Sequence, residues 1–163
     1  MSIGEGTGTA YRTDRGRDWP GIRQFSVFLE NRVGQLLDVV RRFEKTKVRI
    51  VALSIIDSAD CAIVRFVLSH PEQGREILER AGLAIAESDL VVVELPKVES
   101  PLVDICTALL QAEINIHYAY PMMIHPHGRA ALALHVDNHE AAVDTLKRIN
   151  FQVLTEADLS ASF

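Results

Sequence analysis

The sequence predicts an α+β protein in which one βαββαβ unit is used twice. Two observations carry this. Hydrophobic spacing alternates between strand and helix periods in the same order in both halves. Residues of matching type also recur at a nearly fixed offset. Leu36, Asp38 and Ile50 lie 66 residues before Leu102, Asp104 and Ile116. Val67, His70 and the run Glu87 to Leu90 lie 69 residues before Val136, His139 and the run Glu156 to Leu159. The offset grows at 121–128, in the hairpin of the second half.

Each element follows from local pattern. Gln24 to Leu29 is aromatic and β-branched, a strand. Asn31-Arg32-Val33-Gly34 is a turn, after which Leu36, Leu37, Val39, Val40 and Phe43 recur at helical spacing. Residues 48–56 and 62–68 are strands joined by the turn Asp57 to Asp60. His70-Pro71-Glu72 opens a helix, with proline in its first turn and an acid that suits the dipole. Residues 83–85 read as a short fourth strand. The order then restarts: strand 90–95, a helix over Leu102 to Leu110, strands 114–120 and 130–136, a helix over 138–149 capped by Asn138, and a closing strand 151–154. The expected organisation is a flexible, glycine-rich tail at 1–21, a first repeat at 22–89 and a second at 90–160.

Composition excludes several classes. Apolar residues are 48% and charged residues 24%, enough for a packed core. The net charge of -5 argues against nucleic acid and anionic membranes as partners. No apolar run is long enough to span a bilayer, and the N-terminus lacks the apolar segment of a secretory signal. Cys61 and Cys106 are too few for a disulfide framework, which points to a reducing cytoplasm, and each reads as a packed thiol. There is no phosphate-binding glycine loop after a strand, no nucleophile elbow and no paired-cysteine zinc spacing. No cofactor is expected.

The βαββαβ unit is a ferredoxin-like arrangement. Leu29-Glu30-Asn31-Arg32-Val33-Gly34-Gln35-Leu36 resembles the strand-to-helix turn of ACT domains, and Asp137 to Ala142 running on to Phe151-Gln152-Val153-Leu154 is similar to their closing segment. The resemblance covers 23–160. It implies a tandem ACT protein: a non-catalytic module that senses a small molecule, most often an amino acid, and regulates a metabolic enzyme. It implies sheets joined side by side into one of eight strands, homodimerisation, and a ligand at the seam between this turn and the second strand of a neighbouring domain. It leaves open whether that seam lies within or between chains. The small regulatory subunits of acetolactate synthase begin with a similar domain. Their different second half argues against close identity, so an accessory subunit of such an enzyme is the alternative.

The turn makes chemical sense on its own. Unpaired N–H groups at a helix start favour a carboxylate. Gly34 admits close approach, and Asn31 can accept from an ammonium group. The candidate ligand residues are therefore Asn31, Arg32, Val33, Gly34, Gln35 and Leu36, with Ser54, His117, Tyr118 and Tyr120 as side walls. The competing reading is that Asn31 caps the helix and Gly34 only shapes the turn. On the second strand of the second half, alternation puts Ile114, Ile116, Tyr118 and Tyr120 on the face that meets the helices and Asn115, His117 and Ala119 on the other. The equivalent turn, Leu95 to Leu102, lacks glycine, and its Glu99 would repel a carboxylate.

Five histidines lie between His117 and His139, and His125-Pro126-His127 has the look of a metal tract. With no carboxylate or cysteine at a ligand spacing, the polar-loop reading is preferred and no metal site is assigned.

Overall fold

The computed structural model describes residues 19–162; residues 1–18, with Tyr11 and the glycine tract, lie outside the described residues. The elements are β1 (Ile22–Glu30), α1 (Gln35–Arg41), β2 (Ile50–Asp57), β3 (Cys61–Leu68), α2 (Pro71–Arg80), β4 (Ala84–Glu94), α3 (Pro101–Gln111), β5 (Ile116–Pro121), β6 (Ala131–Val136), α4 (His139–Arg148) and α5 (Glu156–Ser160), with a 3-10 turn at Pro126–Gly128. The two βαββαβ repeats are present.

The sheet has six strands, ordered β2-β3-β1-β4-β6-β5, rather than eight. The reason lies in β4. From Ala84 to Leu90 it pairs with β1, and from Val91 to Glu94 it pairs with β6. One strand thus ends the first repeat and begins the second. The polar run Glu87-Ser88-Asp89 does not break it, because its neighbours satisfy it. Ser88 Oγ accepts from Gln24 Nε2 at 3.0 Å, and Glu87 pairs with Arg75 at 2.6 Å. The closing segment 151–154 shrinks to a single bridge, Val93 with Val153. Glu94 N donates to Gln152 O at 2.9 Å and Leu154 N to Val92 O at 2.8 Å. The segment takes the edge of β4 that becomes free past the Ile22–Leu90 pair, where β1 starts.

The helices lie on one face. Phe25, Val27, Leu29, Val64 and Phe66 pack there against Val39 and Phe43 of the α1 region and Leu78 of α2. Val91, Val93 and Leu134 pack against Ile105 and Leu109 of α3 and Val143 and Leu146 of α4. The other face gathers residues of both repeats, Ile22, Val51, Val67, Leu90, Val92, Tyr120 and Ala133, under Leu154 and Leu159. Burial of this kind is the main favourable term, roughly 25 cal/mol per Å² of apolar surface. The sheet curls until its outer strands meet: Met123 N donates to Val51 O at 2.8 Å. Exposed edge strands invite pairing with another chain, and here part of each edge is covered within the chain.

Asn138 caps α4 as its sequence indicates, accepting from Ala141 N at 3.1 Å. The final helix α5 is an addition to the predicted order. Thr155 and Asp158 form a reciprocal capping box at its start. Trp19 is half-buried and edges onto the His139 ring, centroids 5.6 Å apart. The Trp19 ring lies 2.3 Å from where a Gly21 Cβ would stand, so a side chain at residue 21 would displace the ring from its present seat. Cys106, expected to be packed, is exposed on α3, and no disulfide forms between it and Cys61. Among the described residues no helix is long and apolar enough to cross a membrane.

Candidate functional site

The structure places the ten predicted ligand residues in two separate locations. Asn31, Arg32, Gln35 and Leu36 line a depression of about 240 Å³ where β1 gives way to α1, together with Leu29, Glu30, Ile55, Asp57, Ala62 and Val64. Gly34 sits at the N-cap of α1 with φ 89°, and no side chain caps the helix. This left-handed backbone is what glycine permits at little cost. Nothing lies within 4 Å of where its Cβ would be, so its open side faces outward. Val33 is fully exposed beside it.

Asn31 is not the cap. Its Nδ2 donates to Asp57 Oδ1 at 2.9 Å and to Ser58 O at 3.3 Å, tying the turn to the β2–β3 hairpin. Gln35, with its amide oxygen turned to Arg32, accepts from Nη2 at 2.6 Å and Nε at 2.7 Å. Glu30 lies 3.8 Å from Arg32 Nε, both well exposed. The depression therefore offers a guanidinium and a helix start to a carboxylate, and two carboxylates to an ammonium group. Asp57 and Glu30 were not among the predicted site residues. Asp57 stands in the first hairpin of the sequence, and only the register of β2 carries it to the turn.

The other four lie on the opposite face of the sheet. Ser54 pairs across to Arg65 in the β2–β3 register. Tyr118 and Tyr120 reach into the core shared by both repeats, not toward the helices. A bulge between Ile116 and Tyr118 breaks the alternation on which the face assignment rested: Ile116 packs on the helix side and Tyr118 does not. Gln24, fully buried, holds the tyrosines together: its Nε2 donates to Tyr118 OH at 2.7 Å, and Tyr120 OH donates to its Oε1 at 2.6 Å. Burial pushes the Tyr120 phenol far up, Tyr118 adding and Arg65 opposing, so it stays a neutral donor.

Arg65 lays its guanidinium over the Tyr118 ring, 4.0 Å from the centroid. His135, opposite Tyr118 in the register, stacks on the same ring at 4.8 Å and meets His117 at 5.3 Å. Burial lowers the His135 pKa, with His117 and Arg65 contributing. Arg65 is the one charge in the strand Ala62 to Leu68, and period-two alternation with Ile63 and Val67 was the signal that could have found it.

The remaining histidines are occupied separately. His127 Nδ1 pairs with the buried Glu94 and its Nε2 lies 3.6 Å from Asp158. His139 Nε2 bonds Pro20 O at 2.6 Å. His125 is exposed. Among the described residues no group of three or more His, Cys, Asp and Glu could hold a metal ion. A larger groove, about 440 Å³, lies beside the second-half turn between Pro96, Val98 and the ends of α3 and α4. Its lining contains Asp104 and no cation, so it has nothing charged to receive a carboxylate.

A family model described as an ACT domain pair matches residues 21–162. The chain belongs to this family. The ACT pair resembles the crystal structure of protein BT0572 from Bacteroides thetaiotaomicron at 26% identity and a TM-score of 0.77, covering 86% of this chain and 96% of that one. It also resembles the ligand-free regulatory subunit of aspartate kinase from Thermus thermophilus, at 12% identity and a TM-score of 0.56, over 80% and 93% of the two chains. The corresponding subunit from Thermus flavus gives 11% and 0.52, over 78% and 92%. At these identities the two subunits show a shared fold. None of the curated proteins matches the chain.

Proposed function

We propose that this ACT pair is a non-catalytic regulatory protein that binds an α-amino acid at the turn Asn31 to Leu36. The observation that carries the reading is the charge arrangement in one depression: Arg32 and the uncapped start of α1 for a carboxylate, Asp57 and Glu30 for an ammonium group. Because Ser54, His117, Tyr118 and Tyr120 sit on the other face of the sheet, the turn's second wall comes from another copy of the chain. Exposed Val33, Leu37 and Ile55 around the depression supply apolar surface for that copy. Both thiols are free, in keeping with work in a reducing cytoplasm.

The test is a thermal-shift panel of the twenty amino acids on the full chain. Binding at about 100 times Kd adds ~2.7 kcal/mol, a rise of roughly 5–11 °C for a chain of this size. The rise should vanish in Asn31→Ala and in Asp57→Ala, both exposed positions. No rise with any amino acid, or a rise that survives both substitutions, overturns the reading.

A second reading, an accessory subunit of an amino-acid biosynthetic enzyme such as acetolactate synthase, is favoured by α3. Leu102, Val103 and Leu110 are more than half exposed along its outer side, next to exposed Cys106. Co-purification with a larger catalytic chain, abolished by Leu110→Asp, would support it.

A further inference from the structure

We propose that the sheet face opposite the helices, in the first repeat, carries a second site centred on Arg65. It takes a small carboxylate that bears an apolar group and no neighbouring ammonium. The site is distinct from the turn, which lies on the other face.

Arg65 stands beside Ser54 of β2 and Ser26 of β1 on one rung of the sheet. On the next rung outward, Ile63 stands beside Ile56 and Phe28. Phe28 is 44% and Ile56 43% exposed, so this rung is an open apolar shelf. The rung inward is closed by the Gln24–Tyr118–Tyr120 network. The shelf therefore leads to one guanidinium at its inner end.

That guanidinium is fixed but unsatisfied. Its flat face rests on the Tyr118 ring, which sets its orientation. Its Nε is buried and has no hydrogen-bond partner. Nδ1 of His135, on the same tyrosine ring, is also buried without a partner. Among the described residues no carboxylate pairs with Arg65, and the hydroxyls of Ser26 and Ser54 make no hydrogen bond. Buried donors without acceptors are costly, and an arginine fork matches an oxyanion with two parallel bonds. Arg65 supplies the positive charge at this end, the rings of His135 and His117 lie beside it, and among the described residues no acid pairs with it to receive an ammonium group. The shelf of Phe28, Ile56 and Ile63 then selects an apolar substituent. This charge pattern is the reverse of the turn, where Asp57 and Glu30 are present.

The probe is 4-methylpentanoate, with leucine and inorganic phosphate as comparisons, titrated calorimetrically into the full chain. The expected result is binding of 4-methylpentanoate, with leucine and phosphate weaker by about tenfold or more, the scale of one charged hydrogen bond. Arg65→Met keeps a stem over Tyr118 and should abolish binding while Tm stays within a few degrees. Phe28→Ser should weaken it by about tenfold, the scale of one buried apolar side chain. Asn31→Ala should leave it unchanged, which separates this site from the turn. No binding, equal binding of phosphate, or binding unaltered in Arg65→Met overturns the proposal. So does light scattering that shows a dimer split by Phe28→Ser, since a second copy would then cover the shelf.

Discussion

Arg23 and Glu156 stand 133 residues apart in sequence and form a closed, bidentate pair. Glu156 Oε1 accepts from Arg23 Nε at 2.8 Å and from its backbone N at 3.0 Å, and Oε2 accepts from Nη2 at 3.0 Å. Their side chains are 2% and 1% exposed. Burial opposes the guanidinium charge, but Glu156 and Glu72 outweigh it and hold the Arg23 pKa above its ordinary value. The pair fastens α5 to β1. Removing Glu156 takes the carboxylate from Nε, Nη2 and the backbone N–H of Arg23 and leaves the buried guanidinium held through Nη1 by Glu72, a loss of up to about 3–5 kcal/mol. Glu156→Gln should therefore lower the urea midpoint sharply. Arg23→Met with Glu156→Met should cost less than the two single changes summed. An additive double variant would show that the pairing contributes nothing specific.

The interior amide Gln24 makes a second prediction. It is fully buried and is satisfied by Ser88, Tyr118 and Tyr120. Tyr120→Phe removes the donor to its Oε1 and leaves that oxygen buried and unpaired. The expected loss is about 1–3 kcal/mol, read by chemical denaturation. Gln24→Leu should cost at least as much, because it orphans the buried Tyr120 hydroxyl. The network spans β1, β4 and β5, so both variants should loosen the two repeats together. Amide exchange that rises in β5 alone would contradict this.

The third prediction concerns acid. The folded protein holds the His135 pKa below its ordinary 6.5, through burial first, then His117 and Arg65. Tyr118 also faces it, its ring stacked on the imidazole. The unfolded chain then binds the proton more readily, so stability rises with pH across the window between the two pKa values. The contribution is complete above about pH 6.5 and fades as pH falls toward the folded value. A scan of Tm from pH 7.5 to 5 should show a decline that is shallower in His135→Gln. An equal slope in both proteins would remove His135 from the acid limb.

Much of this was legible before the structure. The element order followed from period switching, and the repeat from fixed offsets such as His70 to His139. Asn138 was recognisable as a cap because an Asn before an apolar-periodic run satisfies first-turn amides. What escaped the sequence was set by distant partners. Glu87-Ser88-Asp89 has the composition of a turn, yet β1 and α2 satisfy its side chains and make it strand. The bulge at His117 reversed the faces of the residues after it, which alternation cannot reveal. Arg65 stands as a single charge in an apolar strand, with no partner near it in sequence to give it a role. Only the curl of the sheet brings Tyr118, from the other repeat, beneath it.

Gly34 supplies the last prediction. With φ 89° and nothing within 4 Å of its absent Cβ, its constraint is conformational and not steric crowding. An L-residue in left-handed backbone costs roughly 1–2 kcal/mol, and less for Asn, whose short polar side chain tolerates it. Gly34→Ala should therefore destabilise the chain by about that amount, and Gly34→Asn by distinctly less. If the turn merely needs its shape, amino-acid affinity will follow stability and Gly34→Asn will bind nearly as well as the native chain. If a ligand comes close to this backbone, as proposed, both variants will lose affinity by a similar factor despite their different stabilities. Calorimetric Tm measured beside ligand titration on the same preparations separates the two outcomes.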